Sequence, residues 1–237
     1  LQSIRQGNLK GVKVVCSLRD IISRRREARH WEEKVLKRIQ GRFDFILVHS
    51  DPQFMPLERT FSQVQQIPCP LAYTGYVAPG PSSASRAELR SELGLDPQAR
   101  LVLAGMGGGR AGFELALALV QAFGLQCLYG IKLVIFPGLL ADQHKLNMLQ
   151  KASAGLNVQI MNNSSRFSRY LAAADLAVGP GGYNTCMEIL SARVPALLCP
   201  LAGNREQILR CRAIEKLGRA EVLNPGELTP AGLASSI

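Results

Sequence analysis

The sequence predicts a doubly wound α/β fold, with parallel strands and helices on both faces. Three observations carry this. Short β-branched or Leu-rich runs alternate with longer helical patterns, most regularly after Arg100. Strand–helix–strand units of that length require parallel pairing with crossover helices. Several of the strand runs end directly in glycine-rich turns that open helices, which puts ligand chemistry at the carboxyl ends of the strands.

The elements follow in chain order. Val12–Cys16 reads as a strand, then 24–40 as a helix with Trp31, Val35, Leu36 and Ile39 at helical spacing. Phe45–His49 is the next strand. Pro52, Pro56, Pro68 and Pro70 then break the chain into loops, and 77–85 reads as a linker. A helix over 85–93 ends at Gly94, a suitable C-cap. Strands are expected at 101–105, 131–136, 157–161, 175–178, 195–199 and 221–223. Helices are expected at 112–122, 142–152, 167–174, 183–191 and 204–217.

Residues 1–76 hold only about two strand–helix units, thin for an open-sheet domain on its own. They read as part of an N-terminal α/β domain whose beginning is absent. Residues 77–99 form a linker and helix, and 100–237 a second α/β domain. The chain stops within a helix-like segment after Pro230, so a fragment truncated at both ends is expected.

Composition narrows the function classes. The 237 residues are 47% hydrophobic and 19% charged, which excludes wholesale disorder. Six scattered Cys with no Cys-x-x-Cys pair argue against a disulfide scaffold or a zinc ribbon. Arg5, Lys10 and Lys13 interrupt any N-terminal signal. Leu115–Ile131, the longest uncharged apolar stretch, contains Gln121, Gly124, Gln126 and Gly130 and suits a buried helix plus loop, not a membrane span. The cytoplasm is the expected compartment. The net charge is +10, with Arg24, Arg25, Arg26 and Arg29 its densest cluster. Such a cluster suits nucleic acid, anionic lipid or a phosphorylated substrate, or simply a solvated helix face.

Four motifs carry chemistry. Gly107, Gly109 and Gly112 satisfy Gly-x-Gly-x-x-Gly between a strand and a helix, where glycines admit a phosphate and the helix start supplies N–H donors. The same glycines also suit a plain tight turn. No Gly-Lys-Ser/Thr follows, so it is not a P-loop. The next strand ends in Phe136-Pro137-Gly138, without the acidic residue a dinucleotide site wants. The second motif is Gly179-Pro180-Gly181-Gly182 with Glu188 further along its helix. Two such turns on one rim suit a diphosphate, and a carboxylate can accept both hydroxyls of a ribose diol. The third is Asn204-Arg205-Glu206-Gln207, either helix capping groups or partners for sugar hydroxyls. The fourth is Leu18-Arg19-Asp20, which follows the first strand.

Together these segments carry a resemblance. Gly-Gly-Tyr-Asn-Thr-Cys-Met-Glu-Ile-Leu at 181–190, Val-Pro-Ala-Leu-Leu-Cys-Pro at 194–200 and Gly-Asn-Arg-Glu-Gln at 203–207 resemble the donor half of GT-B glycosyltransferases of the family 28 type. That family includes the peptidoglycan N-acetylglucosaminyltransferase. An uncharacterised bacterial branch looks nearer still, given Leu-Arg-Asp-Ile at 18–21 and Tyr-Thr-Gly-Tyr-Val at 73–77. The resemblance implies two Rossmann-like domains facing a cleft, with a nucleotide sugar, usually UDP-linked, on the C-terminal one. It implies that Gly107, Gly108 and Gly109 face the diphosphate and that Gly181 and Gly182 support it. Glu188 would hold the ribose diol. Asn163 and Ser164, with Phe167 behind them, would border the uracil. Asn204, Glu206 and Gln207 would reach the sugar hydroxyls. The absence of an Asp-x-Asp triplet fits a metal-independent class that needs no cofactor.

The expected function is therefore inverting sugar transfer from a nucleotide sugar to an unknown, in some relatives lipid-linked, acceptor. His49 and Asp20 follow strand ends, but no motif makes either the base, and His49 reads as a structural loop residue. A UDP-sugar epimerase or hydrolase on the same fold is an alternative, as is a non-catalytic nucleotide-sugar binder. A nucleic-acid partner ranks last, because aromatic residues are only 6% and do not interleave with the arginines. The basic segment at Arg24–Arg29 is a candidate for peripheral contact with anionic headgroups at the inner membrane face.

Overall fold

The computed structural model describes residues 11–22, 28–80, 82–108, 112–125, 128–161 and 166–237. The chain divides into two compact units, Leu1–Val77 and Ala78–Ile237.

The first unit contains β1 (Val15–Arg19), α1 (Ala28–Ile39), β2 (Phe45–His49) and β3 (Leu71–Tyr73). Its three strands are parallel in the order β1-β2-β3. Ile46, Val48, Leu57 and Phe61 form the buried centre, and Trp31, Val35, Leu36 and Ile39 of α1 pack against it. The helical spacing of those four residues thus marks the packed face. Two strand expectations are corrected. β1 begins at Val15 instead of Val12, because pairing with β2 sets its register from Val15↔Phe45 onward. Val14 precedes the strand, its N–H donating to the Asp44 carboxylate at 2.7 Å. β3 lies where loop was expected. Three residues flanked by Pro68, Pro70 and Gly75 carry no local strand signal, and only pairing with β2 through Ile46↔Leu71 makes them a strand.

The second unit contains α2 (Arg86–Glu92), β4 (Arg100–Gly105), α3 (Phe113–Phe123), β5 (Ile131–Phe136), α4 (Gln143–Ala152), β6 (Val158–Ile160), α5 (Phe167–Leu171), β7 (Leu176–Gly179), α6 (Tyr183–Ala192), β8 (Ala196–Leu198), α7 (Arg205–Lys216), β9 (Ala220–Val222) and α8 (Pro230–Ser236). Its six strands are all parallel, in the order β6-β5-β4-β7-β8-β9. Val102, Ala104, Leu133 and Ile135 join a core with Leu115 and Leu119 of α3, Leu149 of α4 and Leu233 of α8. Side chains alternate faces along a strand, yet the intervening Leu101, Leu103, Val134 and Phe136 are equally buried. Helices therefore cover both faces, as a parallel sheet requires.

Segment 78–99 belongs to this second unit. Ser85 caps α2 through a capping box with Glu88. Arg86 and Arg90 of α2 pair with Asp175 at 2.5 and 3.3 Å, and Asp175 also accepts the Leu101 N–H at 2.7 Å. Burial alone would push the Asp175 carboxyl up, but these donors outweigh it and leave it below its ordinary value. Among the described residues no helix is long and apolar enough to cross a membrane.

Candidate functional site

The strand order places a switch point between β4 and β7. From β4 the chain winds outward through β5 and β6; it then returns to β7 and winds the other way through β8 and β9. Crossovers leave in opposite directions there, so a crevice opens at the carboxyl ends of those two strands. Both glycine turns lie at this crevice. β4 ends at Gly105 and leads into Gly107 and Gly108. β7 ends at Gly179 and leads into Gly181 and Gly182.

Glycine is needed here for close approach. A Cβ on Gly179 would lie 3.1 Å from Thr185 Cγ2 and 3.2 Å from the Gly105 carbonyl oxygen. Gly107 (φ +62°) and Gly181 (φ +80°) adopt the left-handed conformation that disfavours a side chain. A Cβ on Gly181 would also collide with Cys211 Sγ. Gly108 and Gly182 have open space where a side chain would be. The Gly108 carbonyl accepts the Leu140 N–H at 3.0 Å, which ties the first turn to the loop after β5.

Helix α6 starts at this rim with Gly182 as N-cap and no side-chain cap. The first N–H groups of a helix have no partner within it, and the helix dipole adds partial positive charge. The Gly182 N–H itself donates to no described residue. An uncapped helix start beside a second glycine turn is a receptor for negatively charged oxygen. Glu188 lies further along α6, half-buried. Its carboxyl has no hydrogen-bond or ion-pair partner among the described residues, and burial raises it above its ordinary value. Such a carboxylate gains from any ligand hydroxyl that reaches it.

The third motif is engaged locally. Asn204 Oδ1 caps α7 by accepting the Gln207 N–H at 3.1 Å. Gln207 Oε1 accepts the Leu201 N–H at 2.9 Å, fixing the loop after β8. Glu206 pairs with Arg210 at 2.7 Å. Each side chain retains one terminal atom outside these bonds. Phe167 is 5% exposed and packs edge-on against Phe136, with ring centroids 5.7 Å apart, so it backs the crevice from inside the core. Gly109, Asn163 and Ser164 lie outside the described residues, as do Arg24, Arg25 and Arg26.

Arg210 is the residue that the motifs did not point to. It is fully buried, and its guanidinium reaches the second glycine turn. The Glu206–Arg210 spacing of four was the available signal, since such pairs meet on one helix face.

In the first unit, Asp20 is fully buried just after β1. His49 is the last residue of β2, not a loop residue. Its Nε2 lies 2.7 Å from Ser17 Oγ and its Nδ1 2.8 Å from Thr74 Oγ1.

Known proteins resemble this chain in sequence and in fold. Residues 106–237 match the glycosyltransferase family 28 C-terminal domain. A UDP-N-acetylglucosamine--N-acetylmuramyl-(pentapeptide) pyrophosphoryl-undecaprenol N-acetylglucosamine transferase of Acidothermus cellulolyticus is 28% identical over 185 residues, covering 77% of this chain and 45% of the relative. The enzyme of the same name from Geobacillus kaustophilus is 44% identical over 70 residues, covering 28% of this chain and 20% of the relative. The chain thus spans less than half the length of either. Among solved structures, the calicheamicin glycosyltransferase CalG4 superposes with a TM-score of 0.56 at 22% identity, covering 86% of this chain and 46% of that one. Acinetobacter baumannii MurG superposes with a TM-score of 0.55 at 16% identity, covering 89% and 67%. At those identities the likeness is one of fold, and the shared fold is GT-B.

Proposed function

This chain belongs to glycosyltransferase family 28, and on that premise we propose that it binds a UDP-sugar at the β4–β7 crevice for transfer to an acceptor hydroxyl. The observation that carries the reading is the uncapped start of α6 beside the two glycine turns. In this reading the diphosphate lies against the Gly107–Gly108 and Gly181–Gly182 backbone. Glu188 accepts the two ribose hydroxyls. The free ends of Asn204, Glu206 and Gln207 meet the sugar.

The reaction follows from that placement. An acceptor oxygen forms a bond to the anomeric carbon as the bond from that carbon to the diphosphate oxygen breaks. The acceptor proton passes to a base, and attack from the opposite face inverts the anomeric centre. Charge accumulates on the departing diphosphate, where fixed N–H donors stabilise it without rearranging. The transfer needs no metal in this scheme. The relatives' name specifies a pyrophosphoryl-undecaprenol acceptor. We extend a lipid-linked acceptor, and with it peripheral work at the cytoplasmic membrane face, to this protein.

Calorimetry with UDP tests the donor site, with NAD and Glu188→Gln as controls. UDP should bind and NAD should not. Glu188→Gln should lose about 1.5–3 kcal/mol, the worth of hydrogen bonds to a charged group, or roughly 10- to 100-fold in affinity. UDP binding unaffected by Glu188→Gln would remove the diol role. No UDP binding by the folded chain would remove the donor reading.

A further inference from the structure

We infer that Arg210 is a positioning residue of the donor site, which holds the Gly181–Gly182 peptide so that its N–H faces the diphosphate. The inference rests on the donor-binding reading above and adds a residue that reading does not use.

Arg210 is 0% exposed. Its Nη1 donates to the Gly181 carbonyl at 2.9 Å, and its Nη2 to Glu206 Oε1 at 2.7 Å. The guanidinium carbon lies 5.6 Å from the centre of the Tyr183 ring. Burying a cation is costly unless it is paired and hydrogen-bonded. An apolar residue would fill the same volume with no such cost, so the charge here calls for a role beyond packing.

The geometry supplies one. The described chain has no cis peptide. In a trans peptide the carbonyl and the N–H point in opposite directions. The Gly181 carbonyl is drawn inward onto Arg210, so the Gly182 N–H is turned outward, and it has no described partner. Gly181 at φ +80° is the residue type that also tolerates the flipped peptide. Among the described residues no other side chain donates to that carbonyl, so without Arg210 the inward orientation loses its donor. A flip would put an acceptor oxygen where the diphosphate oxygens lie, which is repulsive. The same guanidinium anchors Glu206, so one side chain orients a phosphate donor and a candidate sugar contact together.

The test compares ligands with and without phosphate. UDP and uridine are titrated into the full chain and into Arg210→Gln, with the Gly182 amide resonance followed by NMR. Arg210→Gln should weaken UDP at least tenfold and uridine less than twofold. The UDP-induced shift of the Gly182 amide should shrink with it. A general packing defect would weaken both ligands alike, and that result overturns the role. Unchanged UDP affinity overturns it too, and leaves the donor reading standing. If the wild-type chain binds no UDP, both fall together. Should Arg210→Gln fail to fold by circular dichroism, Arg210→Lys carries the same comparison. Lysine keeps the charge but cannot serve carbonyl and carboxylate through a rigid fork. A larger loss for UDP than for uridine supports the role, and an equal loss overturns it.

Discussion

The edge of the Phe167 ring occupies the space that a side chain on Gly105 would need: a Cβ there would lie 2.7 Å from both Cε2 and Cζ. The last residue of β4 is thus fitted to α5, and the crevice above it inherits its shape from that contact. Gly105→Ala should destabilise the protein by about 1–3 kcal/mol, the usual cost of overfilling a packed core. Pairing it with Phe167→Leu should recover part of that loss, and a double-mutant cycle by urea unfolding measures the coupling. Strictly additive losses would show that the two residues do not compete for the same space.

Asp175 gives a pH signature of stability. Arg86, Arg90 and the Leu101 N–H hold its carboxyl below the ordinary Asp value of 3.8, against the upward push of burial. A lowered folded value means stability that is fully present above 3.8 and is lost as pH falls through the lowered value. Asp175→Asn should cost about 1–2 kcal/mol at neutral pH, toward the low end for a charged hydrogen-bonding group because of solvent screening. Thermal unfolding of both proteins from neutral pH downward should show the difference closing in acid. A difference constant with pH would mean that packing, not charge, ties α2 to the sheet.

Glu188 should make donor affinity pH-dependent in the opposite range. Burial raises its carboxyl above the ordinary 4.5. The ionised form is the one that accepts two hydroxyls, so affinity should rise as pH rises through the raised value. The ratio of UDP affinities for wild type and Glu188→Gln cancels the titration of UDP itself. That ratio should climb from acid toward neutral pH. A flat ratio would mean that Glu188 does not touch the ligand as a carboxylate.

What the sequence determined by itself is the local part of the fold. In the second unit the strand and helix patterns land within a residue or two of β4–β9 and α2–α7, except that α5 closes at Leu171 and not at Ala174. Glycine turns after β4 and β7 were legible because the left-handed backbone at Gly107 and Gly181 is a local property of each turn. Apolar spacing likewise marked the packed face of α1. Tertiary structure decided the rest. Leu71–Tyr73 is a strand only because β2 offers it a partner, and β1 starts at Val15 for the same reason. The strand order that creates the crevice is a property of the closed sheet and of no single segment. Asn204, Glu206 and Gln207 read as either capping groups or partners for sugar hydroxyls, and only the fold shows the loop and helix around them using one end of each. Arg210 reads as an ordinary helix-surface arginine until the fold buries it beneath Gly181. A pattern within one segment records what that segment does alone, while a buried charge takes its meaning from what is packed over it.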